Sequence, residues 1–140
     1  MPKRILIVDD NEEFGELMGD ILKLSGFAAS HSPDLRHARE HMAACGEPDC
    51  LILDYWLGEG TTEEFAVSLK FVSPATKIIM MSGEVEEEGV SRIQKLVKEG
   101  IAIAYLCKPF SDLDFTKVIH ALEDPDEQVR PPAQPPPPER

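Results

Sequence analysis

A chain of 140 residues holds one domain with a sizeable core and is too short for two comfortable ones. Its 42% hydrophobic and 29% charged residues are those of a soluble globular protein, and a net charge of −12 excludes a sequence-independent grip on nucleic acid, which needs a basic face. Cys45, Cys50 and Cys107 show no CxxC spacing and read as free thiols in a reducing compartment.

Ile5-Leu6-Ile7-Val8 follows Lys3-Arg4 and stops at Asp9-Asp10. Such a short run is neither signal peptide nor membrane span, so we expect a cytoplasmic protein without membrane insertion. It reads instead as a first buried strand. Asn11 is placed to cap a helix whose apolar positions are Phe14, Leu17, Met18, Ile21 and Leu22, with Gly26 as its stop. Phe27 to His31 is a weak strand near an edge, and Ser32-Pro33 should cap a second helix through about Ala44.

Cys50-Leu51-Ile52-Leu53-Asp54 is the most apolar stretch and reads as a central strand buried on both faces. A helix with Phe65, Ala66 and Leu69 inward follows and ends before Ser73-Pro74. Lys77 to Met81 is a fourth strand, leading into Ser82-Gly83-Glu84. The next helix turns Val90, Ile93, Leu96 and Val97 inward and stops at Gly100. Ile103 to Cys107 is a fifth strand, running into Lys108-Pro109-Phe110. A last helix has Phe115, Val118, Ile119 and Leu122 as its apolar positions. From Asp124 the composition turns proline-rich, so the expected organisation is a domain over 1–124 and a disordered tail over 125–140.

Strand and helix alternate five times, which right-handed crossovers turn into a doubly wound α/β fold: a parallel sheet with helices on both faces. In such sheets ligands bind at the carboxyl ends of the strands. Every strand but the second delivers a pointed residue there: Asp9 and Asp10, then Asp54, Ser82 and Lys108. Three carboxylates that repel one another are tolerated when a divalent cation sits among them, and hard oxygen ligands suit Mg²⁺. A carboxylate beside such a metal and an ammonium is a nucleophile towards phosphorus. Lys108 and Ser82 would then neutralise and hydrogen-bond the phosphoryl oxygens.

This ordered set resembles the receiver domain of two-component response regulators, over roughly residues 3–123. Asp-Asp after the first strand, Asp54 after the third, Ser82-Gly83 after the fourth and Lys108-Pro109-Phe110 after the fifth carry the likeness, and Tyr105 adds to it. The resemblance implies a flavodoxin-like strand order of 2-1-3-4-5 and a stand-alone regulator similar to those of chemotaxis. It implies that Asp54 accepts a phosphoryl group from a phosphohistidine on a sensor histidine kinase or a histidine phosphotransfer protein. Mg²⁺, with Mn²⁺ as a substitute, would be held by Asp10, Asp54 and the Trp56 backbone carbonyl, with Asp9 acting largely through water. Ser82, Gly83 and Lys108 would bind the phosphoryl group. Tyr105 would turn inward behind it, and the peptide bond to Pro109 would be cis. The output would be a protein-binding face of the fourth helix, fifth strand and fifth helix, or onward relay of the phosphoryl group. The downstream protein is unknown, and no direct contact with nucleic acid is expected. Such a protein catalyses its own phosphorylation and dephosphorylation but is no conventional enzyme.

Departures from the pattern stand beside the likeness. Gly58 and Thr62 occupy places where the family usually has proline and glycine, so the loop after the third strand should differ in shape. Ser82 and Lys108 lie 26 positions apart, a few more than usual. Trp56 and Glu84 fall where the family tunes the lifetime of the phosphoaspartate. The rival of another class is a phosphorylation-independent adaptor, which has no need of three mutually repelling carboxylates. Gly58-x-Gly60 lacks the third glycine of a dinucleotide loop, and His37 with His41 reads as a polar helix face rather than a metal pair.

Overall fold

The computed structural model describes residues 3–58, 60–83 and 87–108, together with Thr116, Val118, His120 and Leu122. The chain divides into two units, Met1–Lys108 and Pro109–Arg140. In the second unit the four described residues are helical, as expected of the last helix. The expected boundary at 124 and the proline-rich tail lie outside the described residues.

In chain order the first unit runs β1 (Arg4–Val8), α1 (Glu12–Leu24), β2 (Ala28–Ser32), α2 (Leu35–Cys45), β3 (Cys50–Asp54), β4 (Trp56–Leu57), β5 (Gly60–Thr61), α3 (Glu63–Val72), β6 (Lys77–Ser82), α4 (Glu87–Lys98) and β7 (Ala104–Cys107). Five strands form one sheet in the order β2-β1-β3-β6-β7, with every pair parallel. This is the expected 2-1-3-4-5 order once the short antiparallel ribbon β4-β5 is set aside. The chain leaves β1 towards β2 on one side and towards β3, β6 and β7 on the other. The order therefore reverses between β1 and β3, the place where such sheets bind ligands.

The central position of β3 explains its composition. All five of its residues are buried, because neighbours cover both edges and helices cover the faces. Alternate side chains divide between the two faces. Leu51 and Leu53 join Leu6, Val8, Ile78 and Met80 in one cluster with Ala38 of α2, Phe65, Ala66 and Leu69 of α3, and Ile93 and Leu96 of α4. Each fully buried aliphatic side chain contributes roughly 1.5–3 kcal/mol, so a charge at Leu51 or Leu53 would break the domain.

α1 differs from its predicted face. Asn11 caps it, accepting from the Phe14 N–H, but the buried stripe is Gly15, Met18, Gly19 and Leu22. Leu17 and Ile21, expected inward, are 58% and 38% exposed. Two glycines let the helix lie close to the sheet, which turns the contact face towards them and rolls Leu17 and Ile21 outward. The cap of α2 is also corrected. Asp34 accepts from the His37 N–H, while Ser32 is the buried last residue of β2.

Candidate functional site

Strand ends deliver the site. Asp9 and Asp10 follow β1, Asp54 closes β3, Ser82 closes β6 and Lys108 follows β7. Asp9 is fully buried, Asp54 is 6% exposed and Asp10 faces solvent. One oxygen from each of the three carboxylates lies within 4.8 Å of the others.

Asp9 is held at four atoms. Its N–H donates to the Ser32 carbonyl at 3.1 Å, and its own carbonyl accepts from His31 Nε2 at 2.7 Å. Oδ1 accepts from the Asn11 N–H at 2.9 Å, and Oδ2 lies 2.6 Å from Lys108 Nζ. The second strand, expected to bring nothing to this edge, therefore supplies two of the four partners.

Asp54 is fixed by the turn that follows it. The β4-β5 ribbon folds the chain back so that the buried Thr62 hydroxyl donates to the Asp54 carbonyl at 2.8 Å. The Trp56 N–H donates to Asp54 Oδ1 at 3.3 Å, and Lys108 Nζ stands 3.5 Å from Oδ2. Burial pushes the Asp54 carboxyl up to about 6; the Lys108 ammonium and the Trp56 N–H oppose the rise, whereas Asp9 and Asp10 add to it.

Lys108 sits over the Phe14 ring, 4.4 Å from its centroid, and its N–H bonds the Ser82 carbonyl at 2.7 Å. The Ser82 hydroxyl is fully buried and has no hydrogen-bond partner among the described residues. An orphaned buried hydroxyl is costly and points to a polar group that arrives with a ligand. Tyr105, half-buried on the neighbouring strand, has its phenol pushed up by burial first and by Cys107; the nearby Ser82 hydroxyl pulls it down without a bond of good geometry. Gly83 is half-buried directly after Ser82. Trp56 opens β4 and is 44% exposed, its ring set edge-on to Tyr55 at 5.4 Å. Pro109 and Glu84 lie outside the described residues.

Three residues of the site were not legible as such. Phe14 reads as a core position of α1, His31 as an ordinary strand residue, and Thr62 only as a departure from a pattern. Away from the site, His37 bonds the Asp34 carboxylate at 2.8 Å, as a polar helix face would. Burial pushes the Cys50 thiol up to about 12, so it is a packed and unreactive group.

Chemically, the arrangement offers hard oxygens from three carboxylates, that of Asp54 buried among them, with one ammonium and one hydroxyl that is unpartnered among the described residues. The donor set suits Mg²⁺: all ligands are oxygens, and the exposed Asp10 leaves room for water.

Residues 5–120 match the response regulator receiver domain. The phosphate regulon transcriptional regulatory protein PhoB of Escherichia coli (strain K12) is 31% identical over 124 residues, 87% of this chain and 52% of that protein. The chain thus spans about half the length of that relative. The polar-differentiation response regulator DivK of Brucella anthropi is 28% identical over 123 residues, 85% of this chain and 94% of DivK. Among solved structures, the beryllofluoride-activated NtrC4 receiver domain dimer superposes with a TM-score of 0.72 at 30% identity, covering 86% of this chain and 96% of that one. The receiver-domain match spans most of the chain, and the chain belongs to the receiver domains of the response regulators.

Proposed function

We propose that this receiver accepts a phosphoryl group on Asp54, with Mg²⁺, and signals by changing a protein-binding face. The observation that carries the reading is the placement of Asp54. It is a buried carboxylate at the end of the central strand, with an oxygen within 4.8 Å of oxygens of Asp9 and Asp10 and with Lys108 at 3.5 Å. An adaptor that only docks gains nothing from three carboxylates gathered at one edge, and the orphaned Ser82 hydroxyl has no role in it.

In the reaction one Asp54 carboxylate oxygen attacks the phosphorus of a phosphohistidine on a kinase or phosphotransfer protein. A P–O bond forms and the P–N bond breaks; the imidazole leaves with that electron pair and takes up a proton. The Trp56 N–H and the Thr62 hydroxyl hold the acceptor strand end, so little reorganisation is needed at attack. Asp10, Asp54 and the Trp56 carbonyl would hold Mg²⁺, or Mn²⁺ in its place, with Asp9 contributing mainly through water. When bound, the cation neutralises charge on the phosphoryl oxygens. Lys108 would exchange its bond to Asp9 for the phosphoryl group, and Ser82 would gain the partner it lacks.

Occupying Ser82 favours the state in which Tyr105 turns inward, which alters the face of α4 and β7. Among the described residues no helix is long and apolar enough to cross a membrane, and the acidic surface fits a protein partner in the cytoplasm rather than nucleic acid. Onward transfer to a second phosphotransfer protein uses the same acceptor.

Treatment with acetyl phosphate and Mg²⁺ followed by intact-mass measurement tests the reading. The parent should gain a single phosphoryl group and Asp54→Asn none. Equal labelling of both would move the acceptor elsewhere, and no labelling of the parent would favour the adaptor.

A further inference from the structure

The Asp9 carbonyl is bonded by an imidazole from a neighbouring strand, and that imidazole has a space cleared for it. We propose that His31 is a positioning residue for the acidic pair: by donating to the Asp9 carbonyl it sets the Asp9–Asp10 peptide, and so aims Asp10 at the cation shared with Asp54. This rests on the metal reading above.

His31 pairs with Ile7 in the β1-β2 register, two residues before Asp9, and its Nε2 reaches the Asp9 carbonyl at 2.7 Å. A carbonyl only accepts, so Nε2 carries the proton. The other polar atoms of Asp9 are taken by Ser32, Asn11 and Lys108, none of which touches the carbonyl. That carbonyl belongs to the peptide linking Asp9 to Asp10, and its orientation fixes where the exposed Asp10 side chain starts.

Gly15 is the complement. A Cβ there would run into Cδ2, Nε2 and Cε1 of the His31 ring, well inside van der Waals contact. A buried glycine within α1 weakens the helix relative to alanine, and here the missing side chain is what admits the ring. Partners that orient a metal ligand from behind tune affinity without touching the ion.

The test uses Mg²⁺ titration calorimetry on the full chain at fixed pH, with the metal-free unfolding midpoint recorded for each variant. His31→Phe keeps a ring against Gly15 but removes the donor, and it should weaken Mg²⁺ binding by about tenfold. His31→Gln restores an N–H donor and should recover most of that loss. Gly15→Ala should weaken binding in the parent, by displacing the ring, and cost nothing further on a His31→Ala background, where the space is open. That cycle decides the matter even if His31→Phe folds poorly. A metal-free readout is the long-range ¹H–¹⁵N spectrum of the imidazole, which should show the His31 proton on Nε2.

Parent-like Mg²⁺ affinity in His31→Phe, no advantage of Gln over Phe, additive losses in the cycle, or a bare Nε2 would each overturn the proposal. A parent that binds no Mg²⁺ removes the metal reading and this inference together. That outcome is distinct from a parent that binds and variants that match it.

Discussion

Lys108 Nζ lies 2.6 Å from Asp9 Oδ2 and 3.5 Å from Asp54 Oδ2, so the ammonium is bonded to Asp9 and only neighbours Asp54. In this state the lysine partly neutralises the carboxylates that a divalent cation would neutralise, and the Phe14 face helps to keep it there. A phosphoryl group on Asp54 carries roughly −1.5 to −2 in place of the single carboxylate charge, which would give Lys108 a stronger partner than Asp9.

Lysine and a divalent cation would therefore compete for the charge of the same carboxylates. Lys108→Ala should raise Mg²⁺ affinity several-fold, up to about tenfold, and destabilise the metal-free protein by ~1–2 kcal/mol, since the carboxylates are left unpaired. Calorimetric titration and urea unfolding measure the two effects. Unchanged or weaker Mg²⁺ binding would show that the ammonium is no competitor.

The two aspartates after β1 should not be equivalent. Both Asp9 carboxylate oxygens already have partners, whereas Asp10 is exposed. Asp10→Asn should lose about tenfold or more in Mg²⁺ affinity and Asp9→Asn clearly less, because a direct carboxylate ligand contributes more than a water-mediated one. A larger loss for Asp9→Asn would reverse the roles.

The raised Asp54 carboxyl has a stability consequence whose sign can be worked out. Its folded value, about 6, lies above the ordinary 3.8, so the folded protein holds the extra proton between those values. Asp54 then costs nothing below about pH 4, and its penalty grows as pH rises through about 6. With solvent screening at the open edge of the site discounted, the full penalty is on the order of 1 kcal/mol. Asp54→Asn should therefore exceed the parent in metal-free stability by that amount at pH 7 and match it near pH 4. Urea midpoints at the two pH values check this, and Mg²⁺ should narrow the gap at pH 7.

Thr62 holds the backbone of Asp54. Thr62→Val keeps the shape but removes the hydroxyl bonded to the Asp54 carbonyl, and should cost roughly 1–3 kcal/mol in urea unfolding. Thr62→Ser should stay near the parent. A neutral Thr62→Val would mean that the ribbon is held by its backbone bonds alone.

Trp56 stands two residues after Asp54, with its indole braced against Tyr55. An indole there should hinder in-line attack of water on the phosphoaspartate while offering no group that positions it well. Trp56→Asn should shorten the lifetime of the label several-fold at fixed pH and Mg²⁺. A lifetime equal to or longer than the parent's would leave the slow step to other groups, Glu84 among them.

The sequence by itself determined the alternation of strands and helices, the central place of Cys50 to Asp54 and the convergence of Asp9, Asp10, Asp54, Ser82 and Lys108. Runs of apolar residues and their periods are local properties, and parallel crossovers leave few ways to join them. Tertiary structure decided what local pattern leaves open. Periodicity placed Leu17 and Ile21 inward, but the close approach that Gly15 and Gly19 permit chose another face of α1. Ser32 had the chemistry of a cap, yet its place at the end of a paired strand left that task to Asp34. The bond from His31 to the Asp9 carbonyl spans 22 positions, and the bond from Lys108 to Asp9 spans 99. No periodicity reaches so far, because which of several acidic neighbours an ammonium meets at 2.6 Å is settled by the packing of strand ends in space.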